Sequence, residues 1–587
     1  MTSIRRGVIS SRAGRQRYVG HKMKELIEKT IKEFIPSGFP AEISIPAHSE
    51  FGHYSTNVAM RLAPIEKKAP LNIAEELKEK ILNSAPKGLF SKIETVAPGF
   101  LNFWLSDEFL RKELLAIYKN KKKFGRSNIG KGKRIIVEHS SNNIAKPMHV
   151  GHLRNTILGD SLANVFEALG YKVVRWNYLG DWGTQFGKLI VAYKLWGNRK
   201  EIEKEPIAAM TALYIKFHDE AKSDETLEVK AREEFQKLES GNKENRKLWE
   251  WFKKESLLEF KKMYKLLGAE FDVWLGESFY ERQMTPLIAE MLEKGIAVKS
   301  EGAVVIPLDK YNLLPGLIQK SDGASLYLTR DIANIRYRLK KYKPAKILYV
   351  IGNEQTFQFE QLFAVANILG LDKLAELHHI KYGLVLAEGG KKFSTREGRV
   401  VSAEEVIDKV KALAKEVVSK KNPEMAAKKA DKISESVGVG ALKYFNLKEH
   451  RHSDIVFDWE KMLSLSGQSG PYLQYTFARL SRVIKKAKRI GNYDLTRLSN
   501  PEEMALVKKL LDFPEEIEKS AEQFGVNNIT LYLYELANLG NRFYETTPIL
   551  KDADKARLNA RLVLIDAVRN VLKTGLSILG ISSPEEI

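Results

Sequence analysis

At 587 residues, with 44% hydrophobic and 29% charged side chains, the chain is long enough for several folded domains and too apolar for a disordered polymer. It contains no cysteine, which excludes disulfides and thiolate-bound zinc or iron–sulfur clusters and suits a reducing cytoplasm, and no apolar run approaches the roughly 18 to 20 residues of a membrane span. Lysine and arginine number 95 against 74 aspartates and glutamates, and the net charge of +21 suits a polyanionic partner such as nucleic acid, although a lysine-rich proteome gives the same balance.

The first carboxylate is Glu25, and residues 1–22 form a basic, arginine- and serine-containing extension. Its composition fits a transit peptide, a disordered arm or an upstream start codon, because Met23 opens the first clear helical pattern; the last two readings are preferred here. Residues 23–118 mix helical and strand patterns, ending in "APGFLNFWLS", and read as a small α/β domain closed by the basic, glycine-containing linker "KNKKKFGRSNIGKGK". The next segment alternates: "RIIVEH" is strand-like, Leu153, Ile157, Leu158, Leu162, Val165, Phe166 and Leu169 recur at helical spacing before Gly170, and "YKVVRWNYLG" is strand-like again. After a mostly helical insertion from about 195 to 270, the strand "KILYVIG" and a helix around "QLFAVANILG" continue the pattern, so residues 119–454 are expected to form a parallel-sheet domain. From 455 to 587 the pattern is helical almost throughout.

The stretch "SSNNIAKPMHVGH", residues 140–152, therefore falls between the first strand of a β-α-β unit and its helix. A helix start attracts anions, Gly151 allows close approach of a nucleotide, and imidazoles three apart, His149 and His152, can donate to a phosphate as charge moves onto its oxygens. Metal binding is the competing role, but no third ligand is apparent nearby and no metal site is assigned; for a lone His-x-Gly-His, structural histidines are the commoner outcome.

The string "HVGH" resembles the His-Ile-Gly-His signature of class I aminoacyl-tRNA synthetases, and "SSNNIAKPMHVGHLRNTILGD" with "NYLGDWGTQFG" closely resembles the arginyl-tRNA synthetase family. "FGHYSTNVAMRLA", "SDGASLYLTRD", "KKFSTREG" and "GQSGPYLQYTFAR" extend the likeness along nearly the whole chain. The resemblance implies an α/β fold: a class I Rossmann-type catalytic domain, an N-terminal α/β tRNA-binding domain and a C-terminal all-α anticodon-binding domain. It also implies ATP-dependent attachment of L-arginine to tRNA(Arg) through arginyl-adenylate, with activation requiring bound tRNA and Mg2+ accompanying ATP. A cytoplasmic monomer is expected, with another class I synthetase or a non-catalytic tRNA-binding relative as the alternatives.

The same resemblance assigns catalysis to Lys146, His149, His152 and Lys392, with Gly151 and Ser394 joining the ATP site. Lys392 and Ser394 match the Lys-Met-Ser-Lys-Ser signature whereas Phe393, Thr395 and Arg396 depart from it, so Lys146 is expected to supply the missing positive charge. Guanidinium recognition needs carboxylates and an aromatic or amide wall, and Tyr327 and Asp331, four apart, share a helix face. The family adds Glu138, Asn143 and Gln355 to that pocket. For tRNA it points to Tyr475, Arg479 and Tyr544, where rings beside arginines can stack an unpaired base, and to Asn102; a surface cation–π pair is the plainer reading of the rings. Asn142, Gln358 and Asn559 depart from the residues common in the family, which carries proline or alanine, histidine, and aspartate there.

Overall fold

The run Ile135–Val137 is apolar without alternation because it is covered on both faces: the strand Arg134–Glu138 is the centre of a five-stranded parallel sheet. The computed structural model describes residues 23–321, 326–391 and 401–587. Across the sheet the order is Glu376–Tyr382, Lys346–Gly352, Arg134–Glu138, Lys172–Asn177 and Val273–Trp274, with every neighbouring pair parallel. The chain thus starts in the middle, runs out to one edge, and returns to build the other side. That order is the Rossmann arrangement, and its reversal between Arg134–Glu138 and Lys346–Gly352 leaves a crevice at the carboxyl ends of those two strands.

The first crossover helix, Val150–Ala168, buries the apolar stripe expected of it, but also Arg154, Asn155, Thr156, Asp160 and Ser161. Arg154 donates to the carbonyls of Leu384, Arg451 and Ser453, and its burial is therefore matched by hydrogen bonds. Between the second and third strands the helix Thr184–Trp196 is followed by the insertion, made of the helices Arg199–Lys204, Pro206–Ala221, Thr226–Glu239 and Lys243–Leu267, as the sequence pattern suggests. The last is capped by Asn242, whose side chain accepts from the amides of Glu244 and Asn245.

Packing divides the chain into two units. The one holding the parallel sheet comprises Ser127–Tyr475, Glu518–Leu531 and Leu576–Ile587. The other takes the described residues up to Arg126 together with Thr476–Ile517 and Tyr532–Gly575. Within it, an antiparallel sheet in the order Tyr54–Thr56, Phe100–Leu105, Phe90–Val96 is followed by the helix Asp107–Asn120, whose Arg111 donates to the carbonyl of Leu498. The units cut across the three-way division read from composition, because burial joins segments distant in sequence. The basic linker is also less open than its composition suggests: Phe124 is buried, 6.3 Å from the ring of Phe513.

Gly159 lies where the crossover helix passes over His139, so closely that a Cβ would collide with the imidazole. His139 is fully buried, and burial pushes its pKa down to about 3, so a neutral ring fills this contact. Gly159→Ala should therefore destabilise the protein by about 1–3 kcal/mol despite alanine's better helix propensity. Thermal unfolding checks this; an unchanged or raised melting temperature would show that the helix does not need the close approach.

Candidate active site

Between the first strand and the crossover helix the backbone takes an unusual path. Ser140, Ser141 and Ala145 all have positive φ, at 74°, 52° and 61°, conformations that cost of order 1–3 kcal/mol each in non-glycine residues. The loop keeps them because several groups hold it. The amide of Ser140 donates to Asn155 Oδ1 at 2.6 Å, and the amide of Ala145 donates to Ser256 Oγ at 3.0 Å. The Tyr264 hydroxyl is a shared node, 2.6 Å from Ser140 Oγ and accepting from Asn142 Nδ2 at 2.8 Å and Asn177 Nδ2 at 3.1 Å. Ser256 and Tyr264 belong to the long insertion helix, which thereby clamps the loop. Asn142, one of the departures, has its use here: proline or alanine would lack this donor.

His149 is the N-cap of the crossover helix, and the two imidazoles form its capping box. His149 Nδ1 accepts from the amide of Gly151 at 3.1 Å, and His152 Nδ1 accepts from the amide of His149 at 3.2 Å. Both Nδ1 atoms are acceptors, so in each neutral ring the proton sits on Nε2, which remains a donor. Burial lowers both pKa values, that of His152 to about 3. This differs from the sequence expectation that free backbone N–H groups would meet an anion. The imidazoles take the amides of Gly151 and of the N-cap His149 itself, and keep their own Nε2–H groups as donors instead. Gly151 matters for a related reason: a Cβ there would lie 3.0 Å from His149 Cε1 and push the ring from its cap.

On the other side of the same loop lies a charged pocket. The sheet register aligns Glu138 with Trp176 and Tyr349, and the buried guanidinium of Arg338 covers all three, pairing with Glu138 at 4.3 Å from the Trp176 ring centre and 5.4 Å from that of Tyr349. Glu277 lies 3.9 Å from Arg330. Asp331, on the same helix as both arginines (Tyr327–Tyr342), has no ion-pair partner among the described residues; its carboxylate accepts from Gln358 Nε2 at 3.2 Å. Three carboxyl groups thus face two guanidinium groups, so Asp331 has no cation of its own among the described residues when all three are ionised. Burial, with the neighbouring Glu138, pushes Asp331 up to about 7; burial also raises Glu277, to about 8, against the opposing pull of Arg330.

The histidines and this pocket share the sheet's carboxyl edge: Asn155, one turn into the crossover helix, donates to the carbonyl of Val350, two residues before the end of the strand Lys346–Gly352. Asn143 bridges to Gly180 and is exposed at the same edge, as is Gln355 just beyond that strand. Tyr327, 59% exposed, stands at the first position of its helix with Arg330 5.8 Å from its ring. Lys146 is exposed, its ammonium 5.5 Å from the ring of Tyr214 in the insertion. Lys392, Ser394 and Thr395 lie outside the described residues. Beyond that segment, Ser402 bridges to His149 and the amide of Ala403 donates to the carbonyl of Met148 at 2.8 Å, so the chain after the second motif is tied to the first.

Three family models match consecutive stretches of the sequence: the arginyl-tRNA synthetase N-terminal domain over residues 21–105, the class I (R) tRNA synthetase catalytic domain over 113–459, and the DALR anticodon-binding domain over 473–587. The arginine–tRNA ligase of Halothermothrix orenii is 41% identical over 96% of this chain and 99% of its own length. The chain belongs to the arginyl-tRNA synthetase family. The Clostridium acetobutylicum arginine–tRNA ligase is also 41% identical, over 93% of this chain and 96% of its own. Among solved structures, Thermus thermophilus arginyl-tRNA synthetase superposes with a TM-score of 0.81 at 26% identity, covering 96% of this chain and 99% of that one. The Plasmodium falciparum enzyme gives 0.79 at 27%, covering 96% and 98%.

The residues expected to meet tRNA have mixed positions. Arg479 lies 5.2 Å from the ring of Tyr544 and donates to Asn541 Oδ1 at 2.9 Å and Glu545 Oε1 at 3.0 Å, so the plainer cation–π reading holds in the free protein. Tyr544 remains 39% exposed. Asn102 is only 3% exposed and accepts from Ser55 Oγ at 2.6 Å, which argues against a free base-contacting side chain. Asn559 accepts from the amide of Gly491 at 3.0 Å and donates to the carbonyls of Asn492 and Lys555, a dual role that aspartate cannot fill. Sequence reasoning missed Glu277, Arg338 and Tyr264. Each is an ordinary residue in an unremarkable string, and its role arises only from pairing across about 50 to 200 positions.

A guanidinium binds the ionised carboxylates, whereas Asp331 near 7 and Glu277 near 8 are partly protonated in the free protein at neutral pH. Arginine binding should therefore strengthen as pH rises from 6 to 8, level off above that window, and release protons at pH 7. Calorimetry in buffers of different ionisation enthalpy measures both effects; pH-independent binding without proton release would contradict the charge count.

Proposed function

We propose that this site joins L-arginine to tRNA(Arg) in two steps. The carboxylate of arginine attacks the α-phosphorus of ATP, forming arginyl-adenylate and releasing pyrophosphate. A ribose hydroxyl of the tRNA's terminal adenosine then takes the arginyl group, and AMP leaves. The observation that carries the arginine assignment is the Asp331 carboxyl group, which no cation among the described residues pairs with while Glu277 and Glu138 each face an arginine. A neutral or anionic amino acid side chain would leave Asp331 without a cation and favour its protonated form, whereas a guanidinium stabilises the ionised one. Asp331 and Glu277 take the guanidinium, with Tyr327 as the aromatic wall and Asn143 and Gln355 near the amino-acid backbone. Glu138, already paired with Arg338, contributes its remaining acceptor capacity.

His149 and His152 donate from Nε2 to the triphosphate. Because both rings are neutral and fixed by backbone amides, they stabilise charge moving onto phosphate oxygens without reorganising. Lys146 supplies the cation that offsets the departing pyrophosphate, with Lys392 and Ser394 completing the nucleotide site. Mg2+ is proposed to arrive on the triphosphate: among the described residues no group of three or more histidine, aspartate or glutamate side chains could hold a metal ion. No step is assigned to it. Activation is proposed to require bound tRNA, held through Tyr475, Arg479 and Tyr544. The functional divisions are proposed as 23–118, 119–454 and 455–587, and the protein as a cytoplasmic monomer; among the described residues no helix is long and apolar enough to cross a membrane.

Charging of tRNA assayed with each amino acid in turn should proceed with arginine alone, and arginine-dependent pyrophosphate exchange should vanish when tRNA is withheld. Lys146→Ala should reduce that exchange about 100- to 1,000-fold with an unchanged melting temperature, since the side chain is exposed. Near-normal exchange by the variant would refute the lysine's assignment.

A further inference from the structure

Gln358 stands in the first turn of the helix Thr356–Ile368, which packs beside the helix carrying Asp331. Its Nε2 lies 3.2 Å from Asp331 Oδ2. The other groups that act on Asp331 come from every surrounding element. Glu138 approaches from the central strand, Tyr349 from the strand beside it and Tyr178 from the end of the second strand. Glu277 comes from the short helix Glu277–Tyr280, while Tyr327, Arg330 and Arg338 share Asp331's own helix. Both arginines have a carboxylate of their own, Glu277 and Glu138. The tyrosines are neutral at physiological pH. Gln358 is thus the neutral side chain that directly fixes the carboxylate left over for substrate.

Resting on the arginine reading of this pocket, we infer that Gln358 is a positioning and specificity residue: it holds Asp331 by one oxygen with a donor that adds no charge. Two consequences follow from the chemistry of an amide. It helps keep the buried carboxylate ionised by hydrogen-bonding to that form, opposing burial and Glu138. And having no proton to gain, it adds no positive charge beside Asp331 at any working pH. A cationic side chain at 358 would partly neutralise Asp331 and compete with the substrate's guanidinium; a carboxylate would repel it and drive one of the pair to protonate.

The test uses the full-length protein with tRNA and follows arginine-dependent aminoacylation from pH 5.5 to 9. Gln358→Leu should raise KM for arginine about tenfold, change kcat less than about threefold, and move the acid limb of kcat/KM to higher pH. Gln358→Glu should move that limb further in the same direction. Gln358→His should approach the wild type above about pH 7.5 and fall away more steeply below about pH 6.5, as its imidazole gains charge. Inhibition by citrulline, the neutral isostere of arginine, should weaken less than arginine binding in Gln358→Leu, narrowing discrimination. The inference is overturned if Gln358→Leu and Gln358→Glu keep the wild-type KM and acid limb, or if they lose only kcat and melting temperature, the pattern of a merely structural residue. Wild-type protein that charges no tRNA with arginine would instead sink the reading of the pocket itself.

Discussion

The clamp on the loop between the first strand and the crossover helix is the constraint on which the site depends. Three non-glycine residues in left-handed conformations would relax if released, and what prevents this is the convergence of Asn155, Ser256 and Tyr264 on the loop. The loop in turn delivers His149 to the N-cap, where its ring and that of His152 fold back onto their own backbone. The insertion of helices after the second strand is therefore part of what holds the proposed nucleotide site in place, through Ser256 and Tyr264.

Across the same sheet edge, charge is arranged by elimination. Glu138 is matched by Arg338, Glu277 faces Arg330, and Asp181 is matched by Lys253. Asp331 is the member of this group that no cation among the described residues pairs with, and Gln358 holds it instead. Away from water, electrostatic attraction is strong and an unmatched ionised carboxylate is costly, so in the proposed reading the missing cation favours a substrate that brings one. The pairing of Arg338 with Glu138 also alters the simple view in which every family-implied carboxylate waits for substrate: part of Glu138's capacity is already used.

The legible part of the site was local. "HVGH" at a strand-to-helix boundary specified two rings at a helix start, and the spacing of Tyr327 and Asp331 put them on one face of one helix. Illegible were the features built from distant pairs. The stripe from Leu153 to Leu169 revealed a helix but not that Arg154, Asn155 and Asp160 would be buried with it, since periodicity reports one apolar face and says nothing of hydrogen bonds to other segments. Nor did composition predict that Thr476–Ile517 packs with the N-terminal residues while Glu518–Leu531 packs with the sheet.

By itself the sequence determined the α/β character of the central region, the helical character of the C-terminal one, the nucleotide motif and the family. These follow from short-range rules: side-chain periodicity, capping and turn chemistry act over a few residues. Only the tertiary structure decided which carboxylate is left without a cation among the described residues, which nitrogen of each histidine is tied to the backbone, and what Asn142, Gln358 and Asn559 hydrogen-bond to. Those outcomes depend on desolvation and on partners tens to hundreds of residues away, and both come into being only when the sheet and its helices close around them.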